Sequence, residues 1–268
     1  MRRLFIVGNG FDLMHGIPSR YSDFAKFVQG VNIELFQYVE RVVQNLSPNG
    51  LWSNFEEALA TQNAEELLKY EQEENDGNFN DLKMAFRDWV ISVKKYIDFV
   101  NIGKKYQFGE DDIFLTFNYT NTLEKVYNIN SLNICHIHGY MENNESEELF
   151  TGYIWGHGKE KEELDIAIED EYSRQEIQNI IVSYKKEHQI QKMNNFLNER
   201  LGAIEYETNF VVLGHSLGLV DKPYFKALIE NYPTAKWRIG YFEDSDYIRK
   251  IHSCHEIGIK EPLFFQDK

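Results

Sequence analysis

Short runs of apolar residues alternate along this chain with longer stretches in which apolar positions recur every three or four residues. The runs are Leu4-Phe5-Ile6-Val7, Ile113-Phe114-Leu115-Thr116-Phe117, Ile134-Cys135-His136-Ile137-His138, Phe210-Val211-Val212-Leu213-Gly214 and Trp237-Arg238-Ile239-Gly240-Tyr241-Phe242. Pro262-Leu263-Phe264-Phe265 is a candidate last one. Runs of this length, bounded by glycine or polar turns, predict buried strands. After the polar run Ser19 to Asp23, Leu35, Phe36, Val39, Val42, Val43 and Leu46 share one helical face, which Ser47-Pro48-Asn49-Gly50 ends. Trp52 to Leu68 reads as a second helix around Phe55, Leu59 and Leu67. The acidic stretch Glu71 to Asn80 reads as a solvated loop or helix end, and Leu82, Phe86, Trp89, Val90, Val93 and Ile97 form the stripe of a third helix.

The second half repeats the alternation. A helix is expected to start at Asn118-Tyr119-Thr120-Asn121, with Glu124 and Tyr127 early in it, and Asn128 to Asn133 reads as a turn. Gly152 to Gly158 is expected to be extended and to lead into a glycine-rich loop. Glu160 to about Arg200 is charged and helical, with Ile177, Ile180, Ile181 and Tyr184 on one side. Pro223 starts a short helix through Ile229, and Asp244 to His252 forms another. Strands alternating with helices imply a mainly parallel sheet covered on both faces. The expectation is a single α/β domain over residues 1–268, Rossmann-like, with helical insertions at about 21–106 and 160–202.

Composition narrows the partners. Among 268 residues, Lys plus Arg number 28 and Asp plus Glu number 43, for a formal charge of −15. Such a field repels phosphate backbones and anionic lipid, so nucleic acid and membrane surfaces are disfavoured. Two cysteines, Cys135 and Cys254, make neither a disulfide framework nor a four-thiolate zinc site. No apolar run is long enough to span a bilayer, and the first strand begins too early for a secretory signal, so a cytoplasmic location is expected. The helical insertions are candidate surfaces for a homo-oligomer or a partner protein.

Candidate chemistry sits at the ends of the strands. The first strand runs straight into Gly8-Asn9-Gly10-Phe11-Asp12, with Gly16-Ile17-Pro18 shortly after. Glycines at such a turn permit unusual backbone angles and let a pyrophosphate approach the amides. A Gly-x-Gly turn alone also occurs in many folds with no ligand. Three further strand ends carry clusters: Asn118 to Thr120, His138-Gly139, and Gly214-His215-Ser216. In an open parallel sheet these ends share one edge, where ligands bind.

Together, Gly8-Asn9-Gly10-Phe11-Asp12-Leu13, Phe117-Asn118-Tyr119-Thr120 with Leu123-Glu124, Ile137-His138-Gly139, and Gly214-His215-Ser216-Leu217 with Asp221 resemble the AbiH family of bacterial abortive-infection proteins. More distantly, the same segments are similar to sirtuins and sirtuin-like NAD hydrolases of anti-phage defence. Gly8, Gly10, Gly16, Ile17 and Pro18 keep the spacing of the sirtuin Gly-Ala-Gly-Ile-Ser and Gly-Ile-Pro elements. The resemblance implies anti-phage abortive infection through hydrolysis of the nicotinamide–ribose bond of NAD, the substrate, or of a related nucleotide. It implies that Asn118 positions the ribose and the attacking water, and that His138 acts as base through a ribose hydroxyl, a role suited to imidazole. Gly8, Asn9 and Gly10 would hold the pyrophosphate, and Ser216 would bond phosphate or adenosine ribose. The resemblance likewise implies that Gly214, His215 and Asp221 help to bind the nucleotide.

The sequence also departs from the sirtuin pattern. Thr120 replaces the acid that contacts the nicotinamide amide and supplies no charge; Arg20 is out of register; the zinc-ribbon cysteines are missing, so no zinc and no protein deacetylation are expected. Asp12 stands where sirtuins have serine, an acid close to where phosphates would lie, and is a candidate for a ribose hydroxyl or a metal.

Four other readings use the same residues. His138 alone can be a buried histidine bonded to backbone. His136 and His138 share a strand face and, with His157, would begin a metal site, although no local Glu or Cys completes it and no metal is expected. Gly214-His215-Ser216-Leu217-Gly218 fits the nucleophile elbow of serine esterases, with Asp244 or Asp246 and His252 or His255 as triad partners, but Pro223 and the short downstream chain suit that architecture poorly. A non-catalytic nucleotide sensor acting with a partner effector would need the pocket and not the chemistry.

Overall fold

The computed structural model describes residues 3–44, 46, 52–63, 66, 78–140, 153–164, 166, 168, 170–183, 185–201 and 208–267. The expected breaker at Ser47 to Gly50, the helix position Leu67, most of the acidic stretch from Glu71, Gly152 and Tyr184 lie outside them. The elements are β1 (Arg3–Val7), α1 (Asn9–Met14), α2 (Tyr21–Val31), α3 (Ile33–Val42), α4 (Phe55–Ala58), α5 (Asn78–Phe99), β2 (Ile113–Thr116), α6 (Thr122–Tyr127) and β3 (Ile134–His136). Then follow α7 (Glu171–Ser183), α8 (Ile190–Leu201), β4 (Asn209–Leu213), α9 (Lys222–Asn231), β5 (Lys236–Tyr241), α10 (Asp244–Ile257) and β6 (Leu263–Gln266).

The chain divides into two compact units. The first, Met1–Pro18 with Val93–Ile154 and His188–Lys268, carries the sheet. Its six strands are all parallel, in the order β3-β2-β1-β4-β5-β6. This is the doubly wound order of a Rossmann-like α/β fold, in which the strand order reverses between β1 and β4. Burial on both faces explains why β1, β2, β3 and β4 read as mostly apolar runs, while β5 and β6 keep exposed positions. Leu4 and Ile6 of β1 point to one face, where they join Phe210, Val212, Tyr224, Phe225, Leu228, Met193, Leu197 and Cys254. Phe5 and Val7 point to the other, against Phe11 of α1 and Leu123 and Tyr127 of α6. The period-two alternation of side chains thus selects which helices cover which face.

The second unit, Ser19–Ser92 with Trp155–Glu187, is built on aromatic rings. Phe24 lies 5.2 to 5.7 Å between centroids from Trp52, Phe55, Phe86 and Trp89. Trp155 stacks on Phe55 at 5.8 Å and on Phe86 at 5.2 Å. One buried charge pair sits among them, Lys186 Nζ to Glu56 Oε1 at 3.1 Å. Two helices differ from the sequence pattern here. The expected helix Trp52 to Leu68 is helical at Phe55–Ala58 and again at Glu66 among the described residues, and Trp52 itself takes a left-handed φ of 48°. The polar run Ser19 to Asp23 is not a lead-in: α2 begins at Tyr21, where the Asp23 side chain accepts from the Arg20 N–H and caps it.

Candidate active site at the switch point

The reversal between β1 and β4 brings the Gly8 turn and the Gly214 turn together. Gly8 N–H donates to Leu213 O at 3.0 Å and Gly10 N–H to Gly214 O at 2.8 Å. A Cβ on Gly8 would lie 2.5 Å from His215 Cα, and one on Gly214, whose φ is +61°, would lie 2.0 Å from the Phe11 nitrogen. The glycines therefore let two backbones interlock. The two amides expected to face a pyrophosphate are spent inside the fold, a correction to that part of the phosphate-binding expectation. Asn9 is exposed on the rim of the turn.

Asp12 follows in α1 and is 1% exposed. Its carboxylate accepts from Thr120 Oγ1 at 2.6 Å, in the loop after β2, and from Thr122 Oγ1 at 2.7 Å, the first residue of α6. Burial raises the Asp12 pKa from 3.8 to about 6, against the opposing pull of these donors and of His136. So Thr120 faces the acid. Asp12 has its oxygens turned to protein donors, where a ribose hydroxyl or a metal was an expected partner. Asn118 Oδ1 is buried and finds no hydrogen-bond partner among the described residues; nor does either polar atom of the Asn121 carboxamide.

Beside this nest lies a carboxylate between two histidines. Asp221 Oδ1 is 3.4 Å from His138 Nε2, and Asp221 Oδ2 is 3.4 Å from His215 Nε2. The backbone sets both rings. His138 Nδ1 lies 3.1 Å from Phe117 O, and a carbonyl only accepts, so Nδ1 carries hydrogen. His215 Nδ1 accepts the Leu217 N–H at 2.9 Å, which leaves its hydrogen on Nε2, facing Asp221. Leu217 supplies that N–H from a left-handed φ of 56°, a strained conformation for a branched residue. With Nδ1 of His138 protonated, Nε2 faces the Asp221 carboxylate as a lone pair or as a second N–H. Phe117 packs edge-on to both imidazoles, at 5.1 Å from His138 and 4.4 Å from His215.

His138 and the pair His215 and Asp221 come from two separated stretches and meet at the carboxyl edge of one sheet, where Asn118 follows Phe117, whose carbonyl holds the His138 ring. A family model described as bacteriophage abortive infection AbiH matches residues 4–78 and 64–242. The chain belongs to the AbiH family. No curated protein and no solved structure matches it.

The matched span of this AbiH protein holds every residue of the edge described so far, from Gly8 to Asp221. The elbow serine of the esterase reading, Ser216, is exposed; its Oγ accepts from Gly218 N–H at 3.3 Å and its carbonyl from Arg249. Asp246 bonds the Phe242 amide, Arg249 and Lys250; His252 and His255 are exposed. His157 bonds Ile181 O and the Lys159 amide, and His136 lies between Glu124 Oε1 at 2.7 Å and Asn118 O. Among the described residues no group of three or more His, Cys, Asp or Glu is arranged to hold a metal ion, and no helix is long and apolar enough to cross a membrane.

Sequence reasoning missed several participants in the AbiH edge. Thr122, Asn121 and the Glu124–His136 pair complete the polar layer at the ends of β2 and β3. A second buried acid, Asp267, accepts from Tyr106 Oη at 3.1 Å, and burial raises its pKa from 3.8 to about 6. The available signal was an acid just after β1, which needs donors, and a Thr-x-Thr at the next strand end that supplies them.

Proposed function

We propose that this AbiH protein acts in abortive infection by hydrolysing the nicotinamide–ribose bond of NAD or of a related nucleotide. The observation that carries the proposal is the His138–Asp221–His215 cluster at the sheet edge where the strand order reverses and where ligands of doubly wound sheets bind, with Asn118 on the same edge. A buried acceptor without a protein donor suits a ribose hydroxyl or a water, and Asn118 Oδ1 is one. The interlocked glycine amides do not suit a pyrophosphate, so its charge falls to the exposed rim, where Asn9, Ser216 and the Arg249 guanidinium lie.

In the hydrolytic step the oxygen of water bonds to the anomeric carbon. The carbon–nitrogen bond breaks with its electron pair going to the pyridinium nitrogen, and nicotinamide leaves neutral. The proton lost from water passes to the His138–Asp221 pair and then to solvent. His215 holds the far oxygen of Asp221, and Asn118 aligns the attacking water or the ribose hydroxyls. Positioned proton transfer of this kind contributes about 10²–10⁴ in rate.

The test is purified protein incubated with NAD and phage-infected cell extract, with nicotinamide followed by chromatography. Wild type is expected to release nicotinamide, and Asn118→Ala to be at least about 100-fold slower. Wild type that leaves NAD as untouched as Asn118→Ala under every activating condition refutes the hydrolase. A second reading, a nucleotide-binding sensor that passes a signal to a partner effector, draws on the burial of the His138 and His215 side chains, only 4% and 3% exposed. Saturable binding of NAD without nicotinamide release would favour it.

A further inference from the structure

Helix α1 reaches α6 at two points. Thr122, the first residue of α6, donates its hydroxyl to Asp12, and Tyr127, the last, meets His15 just past the end of α1. The second contact has a fixed direction. His15 Nδ1 lies 2.6 Å from Phe11 O, and a carbonyl only accepts, so Nδ1 carries hydrogen. Tyr127 Oη accepts the backbone N–H groups of Lys105 at 2.9 Å and Tyr106 at 3.2 Å, which fill its lone pairs. Its own hydrogen is left to bridge the 2.7 Å to His15 Nε2, which must present a lone pair. All four bonds are made together only with a neutral imidazole. A proton on Nε2 would set N–H against O–H, and Tyr127 could accept it only by releasing one of the two amides.

We propose that His15 and Tyr127 form a proton-operated latch between α1 and α6, closed while His15 is neutral and opened when Nε2 takes a proton. The surroundings favour the neutral form. The imidazole is half-buried against Phe11 and Tyr127, and that burial, with the charge of Lys105, lowers its pKa below 6.5 against the pull of the Phe11 carbonyl. The bond is therefore intact above 6.5 and is lost as pH falls through the lowered folded value. The acids nearby are engaged elsewhere: Asp12 by Thr120 and Thr122, and Asp267, just past β6, by the Tyr106 hydroxyl. The Tyr96 hydroxyl of α5 reaches Gly16 O. Helix α1 follows the Gly8 turn and α6 follows the Asn118 loop, so opening the latch loosens the seat of two segments of the candidate site. That consequence rests on the hydrolase reading, but the latch itself is a property of the free protein.

The test uses the full chain. The backbone amides of Lys105 and Tyr106 report the latch in proton–nitrogen correlation spectra and in hydrogen exchange corrected for the intrinsic effect of pH. Between about pH 8 and about pH 5, both wild-type amides are expected to shift together and to exchange about three- to tenfold faster, as one hydrogen bond is lost. His15→Gln offers Tyr127 an uncharged acceptor and is expected to hold both amides unchanged over that range. Tyr127→Phe removes the acceptor and is expected to leave them fast at either pH. Wild-type amides indifferent to pH overturn the latch. So does a shift that survives in His15→Gln, since Asp12 or Asp267 would then be its source. With NAD as the probe, the nicotinamide-release rate of His15→Gln relative to wild type is expected to rise about three- to tenfold from about pH 8 to about pH 5. A constant ratio overturns the link to the site. A wild type that releases no nicotinamide overturns the hydrolase reading alone, and the amides still decide for or against the latch.

Discussion

Replacing Asp12 by asparagine should make the protein more stable at neutral pH, and by an amount that depends on pH. A carboxyl group whose folded pKa is raised binds its proton more tightly in the folded state. Its favourable contribution is present in full below the unfolded pKa of 3.8 and is lost as pH climbs through the folded value of about 6. At 1.36 kcal/mol per unit, the ionised acid costs the fold about 3 kcal/mol at pH 8. Asparagine fills the same space and carries no charge, so it escapes this cost. Urea unfolding of wild type and Asp12→Asn, followed by tryptophan fluorescence, should give a stability gap of about 1.5 kcal/mol at pH 5 and about 3 kcal/mol at pH 8 in favour of the variant. The other raised acid, Asp267, titrates in both proteins and cancels in the difference. A gap that does not widen with pH, or a variant less stable than wild type at pH 8, would refute the assignment of the shift to burial of the charged acid.

Other outcomes follow from the same structure. Gly214→Ala, with φ at +61° and a Cβ placed 2.0 Å from the Phe11 nitrogen, should lose roughly 2–4 kcal/mol of stability, whereas Gly16→Ala, with φ at +72° and open space around it, should lose only about 1–2 kcal/mol; equal thermal shifts would contradict the interlock. Asp221→Asn should slow nicotinamide release by about 10²–10⁴ by removing the carboxylate that His138 and His215 share, and wild-type turnover in that variant would exclude it from proton transfer. Burial pushes the Cys135 and Cys254 thiols up to about 11, so iodoacetamide at pH 8 should label neither until the protein is unfolded. Ser216→Ala should leave catalysis within about tenfold of wild type, since a rim hydrogen bond contributes modestly; complete loss would revive the nucleophile elbow.

Much of the sheet was legible because strands buried on both faces leave unbroken apolar runs. Ile113 to Phe117 and Phe210 to Gly214 were placed within a residue or two of β2 and β4. The strand order was not legible, since register between parallel strands far apart in sequence is decided by tertiary packing. Helix α2 was hidden by its polar start, although Phe24, Ala25 and Val28 show the buried spacing. Trp52 to Leu68 looked helical because Trp52, Phe55 and Leu59 are apolar at helical intervals, and an aromatic cluster uses that pattern just as well. In the site, Asn118, His138, His215 and Asp221 could be chosen from motifs, but the partners of Asp12 lie 108 and 110 positions away. Nothing local marks Thr122 as a donor, and nothing in Gly8-Asn9-Gly10 tells whether its amides face a ligand or another turn.

The backbone stitch between the Gly8 turn and the Gly214 turn also has a meaning in time. A ribosome delivers β1 and its glycine turn first, yet Leu213 O and Gly214 O, which those amides need, come from the last third of the chain. His215 and Asp221 follow directly behind them. A nascent or prematurely released chain therefore carries Asn118 and His138 with no carboxylate to share a proton and no seat for the first turn. A fragment that ends before β4 therefore lacks half of the cluster on which the proposed chemistry rests.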